Sequence, residues 1–369
     1  DASGRVLRDN VWGPMEEDAA RRDFSINAMY YDPTTQVVVD YHNGIRDAKK
    51  RIMRMIGEPA ARYREDPVRV IRAVRFMAKL SHLGFTMERA TREPLVASAR
   101  LLADVPQSRL FDEMLKLLQT GHALATIEAL QSLNLETGIY PLLDLAVARA
   151  TDPFVNQALS DTDRRVNEGK PVAPSFLLAC VLWSDVRTGW SKRLARQKGP
   201  RASSFPALQE AVDEVFESRI GDVSGRGKLG ADMREIWTMQ PRFEKRTPAS
   251  ALSLASQPRF RAGFDFLRLR ANVGEVDSEL ATWWETFSLA DEDVRNDILE
   301  AMRSQKGVPR KRVVKASAAP GVDDVTDEAE PLPLSDGDAQ DAPRKRRRRR
   351  RKPNDGGVSG ADNGRADSD

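Results

Sequence analysis

Tyr63-Arg64-Glu65-Asp66-Pro67-Val68-Arg69-Val70-Ile71-Arg72-Ala73-Val74-Arg75 is the stretch that decides how this chain is read. It predicts the start of a strong helix. Asp66 can accept the free N–H groups of a first turn, Pro67 suits the first helical position, and good helix formers follow. Val70, Ala73, Val74 and Met77 recur at i, i+3, i+4 and i+7 and form one apolar stripe. Glu65, Arg69 and Arg72 fall on another face, with Asp66 at the same end. Carboxylates beside planar guanidinium groups offer what reading a base edge and holding a triphosphate require. The plainer reading of this segment by itself is ion pairing on a solvated face.

Upstream of it the pattern is mixed. Residues 28–31 read as a strand running into the turn Asp32-Pro33, and residues 36–41 as a β-branched strand broken by Asn43-Gly44. Residues 46–51 suit a short helix, and residues 51–56 a further strand ending at Gly57. Three short strands cannot cover both their faces, so residues 1–57 are expected to be the remainder of an α+β domain. Downstream, helical periodicity dominates to about residue 303. Helices are predicted near residues 105–118, 174–183, 207–219, 259–272 and 278–289, with no repeat of fixed period.

Composition narrows the function classes. With 369 residues, 40% hydrophobic and 31% charged, the chain can build a sizeable core. Cys180 is the single cysteine, so no intrachain disulfide forms and a reducing, cytoplasmic setting is expected. His42, His82 and His122 lie far apart in sequence without metal-ligand spacing. The longest apolar run, residues 176–183, is too short to span a bilayer.

The net charge of +3 hides blocky segregation. Residues 304–369 are poor in large apolar side chains and are expected to be disordered. They carry Arg344-Lys345-Arg346-Arg347-Arg348-Arg349-Arg350-Arg351-Lys352, a run suited to RNA or another polyanion through counterion release. A solubilising tail is the plainer alternative.

Arg21-Arg22-Asp23-Phe24-Ser25-Ile26-Asn27 is a second polar cluster, ahead of a strand. Nucleotidyl transfer needs carboxylates for divalent cations and cationic or amide groups for phosphate and ribose. An Arg–Asp pair at a turn would look the same.

The order of these motifs says more than any one of them. Arg21–Asn27, then Asp40, Gly44 and Asp47, then Arg64-Glu65-Asp66-Pro67 with Arg69 and Arg72, then Arg109, Glu113 and Lys116 follow one another. This resembles the class II nucleotidyltransferases, the family of CCA-adding enzymes and bacterial poly(A) polymerases. The resemblance covers residues 1–120 in detail and extends loosely to about 290. Leu7-Arg8-Asp9-Asn10, Glu16-Glu17-Asp18-Ala19, Phe76-Met77-Ala78-Lys79-Leu80, Lys116-Leu117-Leu118-Gln119, Trp283-Trp284 and the Arg-rich end are most similar to the branch of bacterial poly(A) polymerase I.

The resemblance implies a mainly α fold: the C-terminal part of an α+β nucleotidyltransferase head, a helical neck (58–120), an all-α body (121–303) and a disordered basic tail (304–369). It implies that Asp23 is the third catalytic aspartate and a contributor to a Mg²⁺ site. Arg21, Arg22 and Asn27 would hold phosphate and ribose, Asp66 and Arg69 the base, and Arg72 the phosphates. Glu65, Arg109, Glu113 and Lys116 would be supporting groups. Residues 40–47 would match a flexible region between head and neck. The implied activity is template-independent addition of AMP from ATP to RNA 3′ ends, with CCA addition to tRNA as the alternative. A non-catalytic RNA-binding module is the rival from another class. The family's Gly-Ser loop and Asp-x-Asp pair do not precede Arg21, so this chain is expected to be N-terminally truncated and inactive alone, its full gene product being the enzyme.

Two aromatic features lie further along the chain. Phe260, Phe264 and Leu267, among Arg259, Arg261, Arg268 and Arg270, fit a buried stripe with solvated arginines better than an RNA-stacking surface. Of the adjacent Trp283 and Trp284, one is expected in the core and one outside. Cys180 is expected to be a packing residue.

Overall fold

The computed structural model describes residues 13–196, 204–223 and 227–306. Helix α1 (Met15–Arg21) leads through a 3₁₀ turn (Ser25–Asn27) into strands β1 (Met29–Asp32) and β2 (Val37–Asp40). These pair antiparallel, with Met29 opposite Asp40 and Asp32 opposite Val37. Helix α2 (Gly44–Lys50) follows, then β3 (Ile52–Met53), α3 (Pro59–Glu65), α4 (Val68–Ser81) and β4 (Thr86–Met87). The strand expected over residues 51–56 shrinks to β3, which pairs in parallel with β4, a partner no local pattern announces. From there the chain is helical: α5 (Arg89–Arg92), α6 (Leu95–Ala99), α7 (Gln107–Leu118), α8 (Ala123–Ser132), α9 (Pro141–Ala148) and α10 (Pro153–Asn167). These are followed by α11 (Pro174–Arg196), α12 (Ser204–Val223), α13 (Gly227–Phe243), α14 (Pro248–Ala255), α15 (Phe260–Asn272), α16 (Ser278–Leu289) and α17 (Glu292–Lys306).

Local chemistry explains the helix starts. Glu58, Asp152 and Thr247 each accept backbone N–H groups at a helix entrance, and in each case proline occupies the next position. Proline there loses no hydrogen bond and brings a preset φ. The deciding stretch proves to be two helices rather than one. Residues Tyr63 to Glu65 end α3, Asp66 is extended, and α4 begins at Val68. Asp66 still serves the second entrance, its Oδ1 accepting the Val68 N–H at 3.3 Å.

Packing follows the apolar stripes. Val70, Ala73 and Val74 are fully buried and Met77 is partly so. One continuous core runs from Phe24 through α4, α7 and α8 to α11, and on to Phe266 and Leu269 of α15. Helix α11 is apolar on all sides along its first half, which places it centrally, with Cys180 inside. A second core gathers Phe243, Phe260, Phe264, Leu267, Trp284 and Phe287 from α13 to α16. Phe260, Phe264 and Leu267 are buried, and Arg259, Arg261 and Arg268 meet Asp232, Asp265 and Asp161. Arg270 does not match the solvated arginine expected: it is buried, bonded to Gln240 and Glu275. Trp284 lies in this core with Nε1 donating to the Phe243 carbonyl, and Trp283 stacks on Phe287 nearer the surface.

The histidines do not all stay apart: the chain brings His82, after α4, onto His122, before α8, as stacked rings 5.1 Å apart. Helix α17 runs to Lys306, close to residue 304, near which the tail is expected to start. The rest of that tail, including Arg344 to Lys352, lies outside the described residues. Among the described residues, no helix is long and apolar enough to cross a membrane.

Candidate active site

The site lies where the mixed segment meets the helical one. Residues 22–27 form a bend and a 3₁₀ turn that set the Asp23 side chain against α4. Asn27 stabilises that turn, its Oδ1 accepting the Phe24 N–H at 3.0 Å. The Asp23 carboxylate is 8% exposed and faces two guanidinium groups. Arg69 Nε donates to Oδ1 at 3.0 Å, and Arg72 Nη1 approaches both oxygens at 3.3–3.4 Å. Arg69, 5% exposed, also donates from Nη1 to the Arg62 carbonyl and to Glu65 Oε2. The plain reading of a solvated ion-paired face therefore fails at Arg69, whose charge is buried and fully framed.

Arg62 clamps the same junction. Its Nη2 reaches the carbonyls of Ala20, Arg21 and Arg22 at 3.3, 3.1 and 2.8 Å, and its Nη1 pairs with Glu65. Burial, then the charge of Arg69, pulls the Arg62 pKa down. Arg62 draws no attention in the sequence, since the partners of its Nη2 are backbone atoms some forty residues away. Burial opposes the Arg72 charge, but Asp23, Asp66 and Glu113 outweigh it and hold the Arg72 pKa above the usual value.

Asp66 joins the cluster from the other side. Arg109 Nη2 of α7 donates to its Oδ2 at 2.7 Å, and Arg72 lies 3.8 Å from the same oxygen. A turn further along α7, Glu113 is buried and bridges Arg75 of α4 at 3.2 Å and Lys116 at 2.8 Å. Asp23, Glu65, Asp66, Arg69, Arg72 and Arg109 thus form one connected set, and Glu113 and Lys116 continue it along α7. The Arg21 and Arg22 side chains pair with Asp18 at 2.9 and 3.0 Å. Hydrogen bonds from Tyr30 and then Arg22 hold the Asp18 carboxyl below the usual range.

Residues 40–47 are built into this frame. Asp40 accepts the backbone N–H groups of His42, Gly44 and Ile45, capping α2. Asp47 is fully buried, taking a hydrogen bond from Ser25 Oγ at 2.8 Å and an ion pair from Arg54. Gly44 is required here because a Cβ would sit 2.3 Å from the Ser25 carbonyl oxygen.

The described residues hold no complete magnesium site. Both Asp23 oxygens are engaged by guanidinium groups, which compete with a cation for the same lone pairs. Among the described residues, no group of three or more His, Cys, Asp or Glu is placed to hold a metal. The cluster is suited to something else: anionic oxygens at Arg72 and Arg69, and a base edge between the donor Arg69 and the acceptor Asp66.

Comparison with known proteins gives the family. Residues 4–54 match the family model described as the poly A polymerase head domain, and residues 84–146 the probable RNA and SrmB-binding site of polymerase A. Residues 201–317 match the polymerase A arginine-rich C-terminus. Poly(A) polymerase I of Haemophilus influenzae is 36% identical over 314 residues, covering 84% of this chain and 68% of that protein. Poly(A) polymerase I of Salmonella typhimurium is 36% identical over 323 residues, with the same coverage. A multifunctional CCA protein of Stenotrophomonas maltophilia is 40% identical over 133 residues, 35% of this chain and 32% of that one. The chain belongs to the poly(A) polymerase family of class II nucleotidyltransferases.

Proposed function

We propose that this chain carries the nucleotide-selecting site of a poly(A) polymerase, which adds AMP from ATP to RNA 3′ ends without a template. The observation that carries the reading is the convergence of Asp23, Asp66, Arg69, Arg72 and Arg109. They come from three separate segments and meet in one buried-to-exposed polar cluster. Asp66 accepts from the adenine amino group, Arg69 donates to a ring nitrogen, and Arg72 faces the phosphates. Arg109 keeps Asp66 aimed, and Asp23 positions Arg69 and Arg72. Arg21, Arg22 and Asn27 flank the sugar and phosphate side. A divalent cation serving the transfer would need carboxylates besides Asp23.

Residues 1–57, 58–120 and 121–303 act in this reading as head remainder, neck and RNA-binding body. The cationic run from Arg344 to Lys352 supplies sequence-independent attraction for RNA in a cytoplasmic setting. A buried acceptor–donor pair is the right instrument for choosing a base, because a wrong base leaves its polar groups unpaired. Extension of a labelled RNA by an enzyme bearing this sequence, with ATP alone and with CTP alone, tests the proposal. A tract of A residues is expected. Cytidine addition to tRNA would assign the chain to CCA addition instead.

A further inference from the structure

Beyond the cluster, α4 and α7 enclose a pocket that the nucleotide reading does not use. Its volume is about 350 Å³, and Arg75, Phe76, Lys79, Lys116, Gln119 and Thr120 line it. That is within the range of roughly 300–1,000 Å³ typical of sites for small ligands. Its charge is lopsided. Glu113, buried beside it, pairs with Arg75 and Lys116 together, and Lys79 has no carboxylate partner among the described residues. Three cations against one carboxylate leave the rim positive. Phe76 supplies a partly buried ring, steadied edge-on by Phe24 at 5.4 Å and flanked by Arg75 at 5.7 Å. Gln119 spends its amide N–H on the Val172 carbonyl, which fixes the side chain and leaves Oε1 as an acceptor.

Helix geometry links this pocket to the nucleotide cluster. Arg72, Phe76 and Lys79 share one face of α4, and seven residues separate Arg72 from Lys79. At about 1.5 Å per residue that is roughly 10 Å. About three stacked nucleotides span such a distance, at about 3.4 Å each along a strand.

We propose that this pocket binds an RNA nucleotide upstream of the 3′ end, its base on Phe76 and its phosphodiester between Lys79, Lys116 and Arg75. The inference rests on RNA being the substrate, as proposed above. Such a subsite would keep the growing strand in register with Arg72 while tolerating any base, since every base has a face to stack.

The test is binding of a fluorescent oligoadenylate to the 369-residue chain, followed across salt concentrations. Intact oligomers are compared with oligomers carrying one abasic residue at the second, third or fourth position from the 3′ end. In the unaltered protein one of these positions should weaken binding by about 5-fold or more, the loss of one stacked base. Phe76→Leu should weaken binding of the intact oligomer similarly and abolish the sensitivity to that abasic position. Lys79→Gln, at an exposed side chain with no fold to disturb, should lower the salt slope by about 0.7, the value for one phosphate contact on a single strand. Binding with unchanged slope in Lys79→Gln and an even abasic profile would overturn the pocket and leave the functional reading standing. No binding of RNA at any salt concentration would overturn both.

Discussion

Arg69 offers the sharpest energetic test, because its guanidinium joins Asp23, Glu65 and the Arg62 carbonyl while only 5% exposed. Replacing it by methionine keeps the stem and removes the charge. Asp23 then stays buried with only Arg72, at 3.3–3.4 Å, to compensate it. Removing one partner of a buried pair costs about 3–5 kcal/mol, and the residual Arg72 contact places this case near the lower end. Asp23→Asn keeps an acceptor for Arg69 Nε and should cost less, about 1.5–3 kcal/mol, the range for a hydrogen bond to a charged group. The double variant removes both charges and should be less destabilised than the sum, with a coupling of about 2 kcal/mol. Urea unfolding followed by tryptophan fluorescence reads these values, since Trp183, Trp237 and Trp284 are fully buried reporters. A cost for Arg69→Met under about 1 kcal/mol, the level of an exposed pair, would refute the buried-clasp argument. So would a coupling near zero.

Other outcomes follow from the same contacts. Burial, then the neighbouring His82, lowers the His122 pKa below its usual 6.5. The folded state therefore binds fewer protons there than the unfolded chain, and stability should fall as pH drops through about 6.5. His122→Asn should flatten the thermal-melting profile between about pH 7.5 and 5.5, a window centred on the ordinary histidine pKa; an unchanged slope would count against it. Gly44→Ala should destabilise by about 1–3 kcal/mol, read by urea unfolding, because its Cβ would meet a backbone oxygen that cannot step aside. Arg109→Ala removes a half-exposed pair and should cost under about 1 kcal/mol in stability, yet weaken ATP binding measurably by calorimetry, because Asp66 loses its guide.

The legible part of the fold was the part governed by local periodicity. Val70, Ala73 and Val74 announced the buried face of α4, and Phe260, Phe264 and Leu267 that of α15, because side-chain spacing alone sets which residues share a face. Helix α16 occupies the expected residues 278–289. The break at Asp66 was less legible, since Tyr63 to Arg75 reads as one good helical run and only the Pro67 position hints at two. Strand β4 escaped because its two residues are held by a distant partner, Ile52–Met53, and not by propensity.

In the site, the identities of the polar residues were readable and their partners were not. Arg69 looks like a surface residue until Asp23, forty-six positions earlier, folds against it. Arg62 and the Asp40 cap act through backbone atoms, which leave no side-chain pattern. The stack of His82 on His122 arises only from the packing of α4 against α8, so no ligand-like spacing could reveal it.

The central claim is that Asp66 and Arg69 choose the base. Equilibrium binding of ATP and CTP, measured by calorimetry on the chain and on Asp66→Ala, tests it directly. A site built to hydrogen-bond one base should prefer ATP by about tenfold or more, corresponding to at least about 1.4 kcal/mol. Asp66→Ala should bring the two affinities together while the chain stays folded. Equal affinities in the unaltered chain, or a preference for ATP that survives Asp66→Ala, would contradict the account.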